Sequence, residues 1–356
     1  MSDRELAIVV FGATGFTGRL AARYLADHAP KGLRWGIAGR DRGKLDALAA
    51  TLGAAAPEKI VADSGDGPAI AAMVRRARVV VSTAGPFARW SDPVVAACVE
   101  ARTHYCDITG ETPWVRRLVD RHHARAAVDG TRIVPCCGFD SIPSDIGTWL
   151  VVSSLRRELG QGTRRVRASF VVGGGGLNGG TAASALSLAE TGDTRALDDP
   201  LLLVPAERRA AIEARPWSRW PRRSETKGKW LAPFVMAPVN TQIVLRSAAL
   251  YAERGEPYGP LFSYDEALEV KGRLAATGIA AALVGTDKIL GTRPGRALLR
   301  RLVPAPGEGP SEEAMARGFF RTRLEGEATD GRRWSAELSY PGDAGNRSTV
   351  LMLIES

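Results

Sequence analysis

Cysteine is scarce in this 356-residue chain: Cys98, Cys106, Cys136 and Cys137 are the only four, and no two stand in a C-x-x-C pair. That argues against both a disulfide-stapled secreted module and a zinc ribbon. Histidine is equally scarce at four, and the neighbours His122 and His123 have no third ligand at metal spacing, so no metal is expected. No stretch reaches the ~18 uninterrupted apolar residues of a membrane-spanning helix. The nearest candidate, Leu274 to Leu290, is interrupted by Thr277, Gly278, Gly285, Asp287 and Lys288, which leaves lying on a membrane as its one membrane role. The opening MSDRELAIVVFGATG carries acids where a signal peptide needs a basic n-region and an apolar h-region. The expected compartment is the cytoplasm, with peripheral contact at the inner membrane face as the alternative. Lysine supplies only seven of the 48 basic residues. A net charge of +9 that comes mostly from a general arginine bias is weak evidence for any charged partner. Nucleic acid is not an expected partner, since no recognition motif or aromatic stacking pattern accompanies the charge.

What is present describes a globular chain, 45% hydrophobic and 24% charged. At about 150 residues per domain it makes one large domain or two ordinary ones. Leu6 to Phe11 is an apolar, β-branched run closed by Gly12, and an Ala/Leu-rich helical pattern follows from Gly18 to His28. The unit recurs as Leu33 to Ala38 with Lys44 to Leu52, Lys59 to Ala62 with Pro68 to Arg76, and Ala77 to Ser82 with Pro93 to Ala101. His104 to Ile108 and Thr131 to Pro135 add two strands around the helical stretch Trp114 to Val128. Six strands alternating with helices predict a Rossmann-like, doubly wound parallel sheet over residues 1–137. From about residue 138 the rhythm changes. Phe319 to Asp330 and Gly331 to Tyr340 read as a hairpin turning at Asp330-Gly331, with Phe320, Thr322, Leu324 and Ala328 on one face. Residues 138–356 are therefore expected to form an α+β domain with an antiparallel sheet.

Gly12, Gly15 and Gly18 have the G-x-x-G-x-x-G spacing directly between the first strand and its helix. There the helix N–H groups face a dinucleotide pyrophosphate, and side chains would hold it away. An NAD enzyme commonly carries Asp or Glu at the tip of the second strand; this chain has Gly39 followed by Arg40. A guanidinium there, helped by Arg42 or Lys44, pairs a 2′-phosphate and selects NADP. Asp63, at the end of the third strand, is placed either to reach the adenine edge or to cap the next turn.

Chemistry is expected beyond the carboxyl ends of the strands, and three segments lie there. Tyr105, Asp107, Thr109 and Glu111 follow strand five. Cys137 to Asp145 follows strand six, with Ser141 and Pro143 as N-cap and first-turn residues of the next helix, and with Asp140 and Asp145 less well explained by capping. The tract Gly173 to Thr181 leaves backbone N–H groups open to a ligand or serves as a crossover loop. Asn178 and Thr181 are taken to line a substrate pocket, and Asp140, Ser141, Asn178 and Thr181 form the candidate catalytic set. No Tyr-x-x-x-Lys pair exists. The loop Arg215 to Lys229 sets Arg215, Arg219, Arg222, Arg223, Lys227 and Lys229 against Glu225. It is read either as solvated or as drawing an acidic carrier protein or an anionic membrane.

With these residues in view, the chain resembles the saccharopine dehydrogenase-like oxidoreductases, and within them the trans-acting enoyl reductases of mycobacterial polyketide lipid synthesis. The resemblance is carried by VVFGATGFTGRL (Val9 to Leu20), AGR (Ala38 to Arg40), STAGPF (Ser82 to Phe87), YCDITGE (Tyr105 to Glu111) and CGFDSIPSD (Cys137 to Asp145). It continues in GGTAAS (Gly179 to Ser184), MAPVNTQIVLRS (Met236 to Ser247) and VPAPGEGPSEEAMARGFF (Val303 to Phe320). It implies NADP held by Gly12, Thr14, Gly15 and Phe16 at the pyrophosphate and by Arg40 at the 2′-phosphate. Thr83, Ala84, Gly85 and Pro86 would then run beside the nicotinamide half. It also implies reduction of an enoyl thioester on a polyketide synthase or its acyl carrier protein. Members of the family continue past VLMLIES with a further apolar helix, so the C-terminus is expected to be either truncated or that of a shorter natural variant, which bears on domain closure and activity. Two other readings stand beside this one: reduction of a C=N bond in an amino-acid adduct, and a non-catalytic dinucleotide sensor. The sequence leaves the oligomeric state open.

Overall fold

Each buried apolar run ends where a glycine or a polar residue lets the chain turn, and this alternation builds the first half of the molecule. A computed structural model describes residues 4–55, 57–224 and 229–356. Strands β1 (Leu6–Phe11), β2 (Trp35–Gly39), β3 (Glu58–Val61), β4 (Ala77–Ser82), β5 (His104–Asp107) and β6 (Ile133–Val134) form one sheet in the order β3-β2-β1-β4-β5-β6. Every pairing is parallel. The connecting helices are α1 (Phe16–His28), α2 (Arg42–Thr51), α3 (Gly67–Arg76), the single turn α4 (Phe87–Trp90), α5 (Asp92–Ala101) and α6 (Thr112–Asp129). This is the doubly wound arrangement expected from the sequence, with its order reversing between β1 and β4. Helix α1 starts two residues before Gly18, and α6 starts at Thr112 with Pro113 in its first turn and ends at Gly130 (φ 69°). Strand β6 is shorter than expected because Pro135 has no N–H to extend the ladder.

The second half runs α7 (Ile142–Leu159), β7 (Thr163–Gly173), α8 (Gly179–Thr191), β8 (Arg222–Arg223), β9 (Trp230–Ala232), α9 (Ala237–Glu253) and β10 (Ser263–Val270). It continues with α10 (Arg273–Leu290), α11 (Arg293–Leu302), α12 (Glu312–Ala316), β11 (Phe319–Ala328), β12 (Arg333–Tyr340) and α13 (Thr349–Glu355). Its sheet has the order β12-β11-β7-β10-β9-β8 and is mixed, because β7 and β10 pair parallel while the other pairs are antiparallel. The hairpin has the expected faces. Phe320 pairs with Tyr340, Thr322 with Leu338 and Leu324 with Ala336, and the inward residues of β11 are buried. Phe139, Phe170, Phe234 and Phe320 pack together in this second core, Phe170 stacked on Phe234 and edge-on to Phe139.

The chain then crosses back. In α13, Val350 packs among Val10, Ala21 and Ala22, Leu353 sits with Val81, Cys106 and Cys137, and Tyr24 donates to Glu355 at 2.7 Å. The four cysteines are free and buried; burial pushes the Cys98 and Cys136 thiols up, and Cys137 is raised first by the Cys106 thiol it meets and then by burial. The arginine-rich loop is less free than its composition implies. Arg215 pairs with Glu213 and Arg219 with Asp198, each at 2.6 Å, while Arg222 pairs with Asp265 and Lys229 with Glu269, each at 2.5 Å. Glu225 and Lys227 lie outside the described residues.

Candidate active site

The glycine turn works by letting three pieces of backbone approach. Gly12 has φ +80°, and a Cβ there would lie 2.9 Å from the Ala84 nitrogen; a Cβ on Gly18 would overlap the Gly12 carbonyl. Gly15 is the N-cap of α1 with extended backbone, so no side chain caps that helix, and its first turn holds no acid. By contrast Asp41 and Asp66 cap α2 and α3 through the Lys44 and Ala69 N–H groups, each at 3.0 Å. The uncapped donors and the positive end of the α1 dipole are what a pyrophosphate requires. The Thr83 hydroxyl donates to the carbonyls of Phe11 (3.1 Å) or Gly12 (3.2 Å) and ties the end of β4 to this turn.

Arg40 stands exposed just past β2 and makes no hydrogen bond or ion pair among the described residues. Thr14 lies beside Gly39, whose Cβ would sit 3.6 Å from the threonine hydroxyl. Together they leave an open cationic corner of the kind a 2′-phosphate needs, so the residues present fit an NADP cofactor. Of the two roles open to Asp63, the structure shows the capping one: its Oδ1 accepts from Gly65 N at 2.8 Å. Phe16 is covered by the segment 303–310. A Cβ on Gly309 would lie 2.5 Å from the Phe16 ring, and Arg19 donates both to Thr14 O (2.9 Å) and to Gly307 O (3.0 Å). Segment 303–310 belongs to one of the blocks that carry the family resemblance, but nothing in its sequence places it as a strap over the glycine turn.

A cavity of about 460 Å³ opens from the first turn of α1, where Thr17 lines it, toward the second domain. Thr83, Gly85, Asp140, Asn178 and Thr181 all line it, as does Glu111. Gly12, Thr14, Gly15, Phe16, Gly18, Arg40, Asp63, Pro86 and Ser141 do not; all but Ser141 belong to the first domain. Pro86 follows a cis bond from Gly85. The remaining walls are mainly apolar, with Phe87, Leu188, Trp217, Met236, Leu283 and Leu290 among them.

Asp140 is half-buried on this wall and has no hydrogen-bond partner among the described residues; burial alone raises its carboxyl to about 6. Ser141 corrects the sequence reading. It occupies the N-cap position of α7, but its hydroxyl caps nothing and donates instead to Asn240 Oδ1 at 3.1 Å. Asn240 in turn donates to Glu266 Oε1 at 2.7 Å, while Tyr264 and Ser144 donate to Glu266 Oε2 at 2.6 and 2.7 Å. Burial pushes the Glu266 carboxyl up to about 7 against those donors. Glu266, Tyr264 and Asn240 are residues the sequence reading missed, because a carboxylate on a strand gives no signal until its partners on α7 and α9 are known.

Asn178 lines the cavity as expected, and its polar atoms are engaged there. Its Oδ1 accepts from Thr181 N at 2.9 Å and from the Thr181 hydroxyl at 3.3 Å, and its amide donates to Asn346 at 2.8 Å. It is the N-cap of α8, so both residues line the cavity with their polar atoms already engaged. The glycine tract likewise serves chain crossings. A Cβ on Gly174 would strike Gly318, one on Gly175 would strike Asp343, and one on Gly179 would overlap the Ala305 carbonyl. The crossover alternative is the one realised there. Glu111 accepts from Phe87 N (2.9 Å), Ala88 N (2.9 Å) and the Ser184 hydroxyl (2.8 Å), fixing the α4 turn to α8 at the cavity. Asp107 lies beneath it, raised to about 7 by burial, and receives Tyr105 OH, Thr109 N and Cys136 N.

Residues 8–134 match the model of the saccharopine dehydrogenase NADP binding domain. A trans-acting enoyl reductase of Mycobacterium tuberculosis is 36% identical over all of this chain and 88% of its own length. One from Mycobacterium ulcerans is 34% identical with the same coverage. Among solved structures, apo saccharopine dehydrogenase (L-Glu forming) from Saccharomyces cerevisiae superposes with a TM-score of 0.50 at 14% identity, over 98% of this chain and 88% of that one, a likeness of fold.

Proposed function

Since the chain belongs to the saccharopine dehydrogenase-like family that includes the mycobacterial trans-acting enoyl reductases, we propose that it is an NADPH-dependent reductase that saturates the C=C bond of an enoyl thioester on a polyketide or lipid acyl chain. The observation that carries the reading is the unpartnered Asp140 carboxyl on the wall of a mainly apolar cavity that reaches the first turn of α1. Bound NADPH supplies the hydride that the β-carbon of the substrate accepts. The uncapped N-terminus of α1 holds the pyrophosphate and Arg40 holds the 2′-phosphate. Phe87, Met236, Leu283 and Leu290 accept the acyl chain and exclude water from it. As negative charge develops on the thioester oxygen, Asp140 in its acid form delivers a proton to the α-carbon, leaving a saturated thioester and an Asp140 carboxylate that solvent reprotonates. An acyl carrier protein of a polyketide synthase is the proposed donor of the chain.

Imine reduction calls for cationic groups free to hold substrate carboxylates. Of the two arginines on this wall, Arg219 is engaged by Asp198 and Asp287 while Arg195 has no partner among the described residues; what favours the acyl reading is the mainly apolar lining. The test follows NADPH oxidation with 2-enoyl thioesters on pantetheine and on carrier protein, for the wild type and for Asp140→Asn. The variant is expected to lose about 10²- to 10⁴-fold in kcat with NADPH affinity retained. The wild-type kcat should fall as pH rises through about 6, because the acid form is the active one. Turnover of imines but not of enoyl thioesters would overturn the proposal.

A further inference from the structure

Helix α10 is apolar on both of its faces. Its inner side buries Ala276 and Ala280 and lends Leu283 and Leu290 to the cavity. The opposite side, Leu274, Gly278, Ala281, Ala282, Gly285 and Ile289, follows helical spacing and carries no charge. Leu274 is 90% exposed, Ile289 40% and Val284 38%. An exposed apolar helix face of this length calls for a cover, and among the described residues nothing covers this outer side. Helix α11 follows at an angle of 115° and adds Leu298 and Leu302, exposed by 54% and 71%. No single helix among the described residues is long and apolar enough to cross a bilayer.

We propose that the outer face of α10 and α11 docks on the surface of an anionic lipid bilayer, so that α10 stands as the wall between the lipid and the cavity. Charge selects this occupant. Of the seven cations of residues 271–302, Arg296 and Arg300 turn inward, which leaves Lys271, Arg273, Lys288, Arg293 and Arg301 against the single acid Asp287. Such an excess is drawn to anionic headgroups while the leucines enter the acyl boundary. A second copy of the chain would bring the same cations against themselves. An acidic carrier protein would need cations at the centre of the patch, whereas Arg296 turns inward to the Leu290 carbonyl at 2.7 Å and Arg300 to Glu190. The inference goes beyond the reductase reading, since docking requires no turnover, and the two fail separately.

Purified protein would be sedimented with vesicles of phosphatidylcholine alone and of phosphatidylcholine with about a third phosphatidylglycerol. The expected result is binding at least about tenfold stronger to the anionic vesicles, weakened by salt. Leu274→Glu with Leu302→Glu should weaken binding by about tenfold or more, with NADPH titration unchanged as the check on folding. Should that variant fail to fold, Arg293→Glu with Arg301→Glu alters only exposed side chains and should weaken binding similarly. The proposal is overturned by absent binding, by equal binding to both vesicles, or by variants that bind as the wild type does. It is also overturned by a concentration-dependent dimer that the leucine variant dissolves, or by a carrier protein that competes with the vesicles for this face.

Discussion

Arg40 is the residue on which cofactor choice turns, and it illustrates what a sequence discloses. The second-strand tip is fixed by chain order, so an arginine there announces its partner before any coordinate is known; the structure adds that no acid of the described residues already engages it. Arg40→Ala should weaken NADPH by roughly ten- to a hundredfold, the range expected from losing a charge-assisted pair, and leave NADH nearly unchanged. Fluorescence titration with both nucleotides checks this, and an equal loss for both would remove Arg40 from the 2′-phosphate. Ser141 and Asn178 show the opposite case. A hydroxyl or amide in a folded chain goes to the nearest unsatisfied partner, here Asn240 for Ser141 and the backbone of Thr181 for Asn178. Those partners come from tertiary contact and local cap geometry, which spacing alone does not rank.

At the scale of elements, the alternation of apolar runs and glycine turns made the parallel sheet legible, because strand, turn and helix are each encoded within about 30 residues. The hairpin β11–β12 was legible for the same reason, its faces following from a period of two. The strap 303–310 was not, since its meaning lies in what it crosses. It brings the Ala305 carbonyl against Gly179 and Gly309 against Phe16, and the Glu308 carbonyl accepts from Gly179 N at 2.9 Å. Gly174 and Gly179 thus read as ligand-facing when they are spaces for backbone, while Gly180 does line the cavity. Gly179→Ala should therefore destabilise the protein by about 1–3 kcal/mol, the usual cost of overpacking where backbone cannot yield, measured by urea denaturation. Gly307→Ala puts a side chain into open space but at φ +92°, so its cost should be smaller and confined to backbone strain of about 1 kcal/mol. If Gly179→Ala proves as stable as the wild type, the strap is not packed on the tract as described.

Over the whole molecule, the buried carboxyls couple stability to pH in an unusual direction. Burial raises Asp107, Asp145 and Glu266 to about 7 and Asp140 to about 6. In the unfolded chain such groups titrate near 4. Below about pH 4 both states hold these protons; between about 4 and 7 only the native state does, and above about 7 neither does. The native state therefore binds more protons across that window, and stability falls as pH rises through it. Asp107 ends strand β5 of the first sheet, Asp140 and Asp145 flank the start of α7, and Glu266 joins β10 to α7 and α9. The effect accordingly acts on both halves together. The melting temperature is expected to be lower at pH 8 than at pH 5.5 by roughly 5 °C or more. Glu266→Gln can still accept from Tyr264 and Ser144 and carries no titratable proton, so it should flatten the dependence and gain relative to the wild type at pH 8. A calorimetric series across that range decides the matter: a profile that rises toward pH 8, or a Glu266→Gln profile parallel to the wild type, would mean that these carboxyls are ionised in the native protein and that the network around Glu266 is held as a charged one.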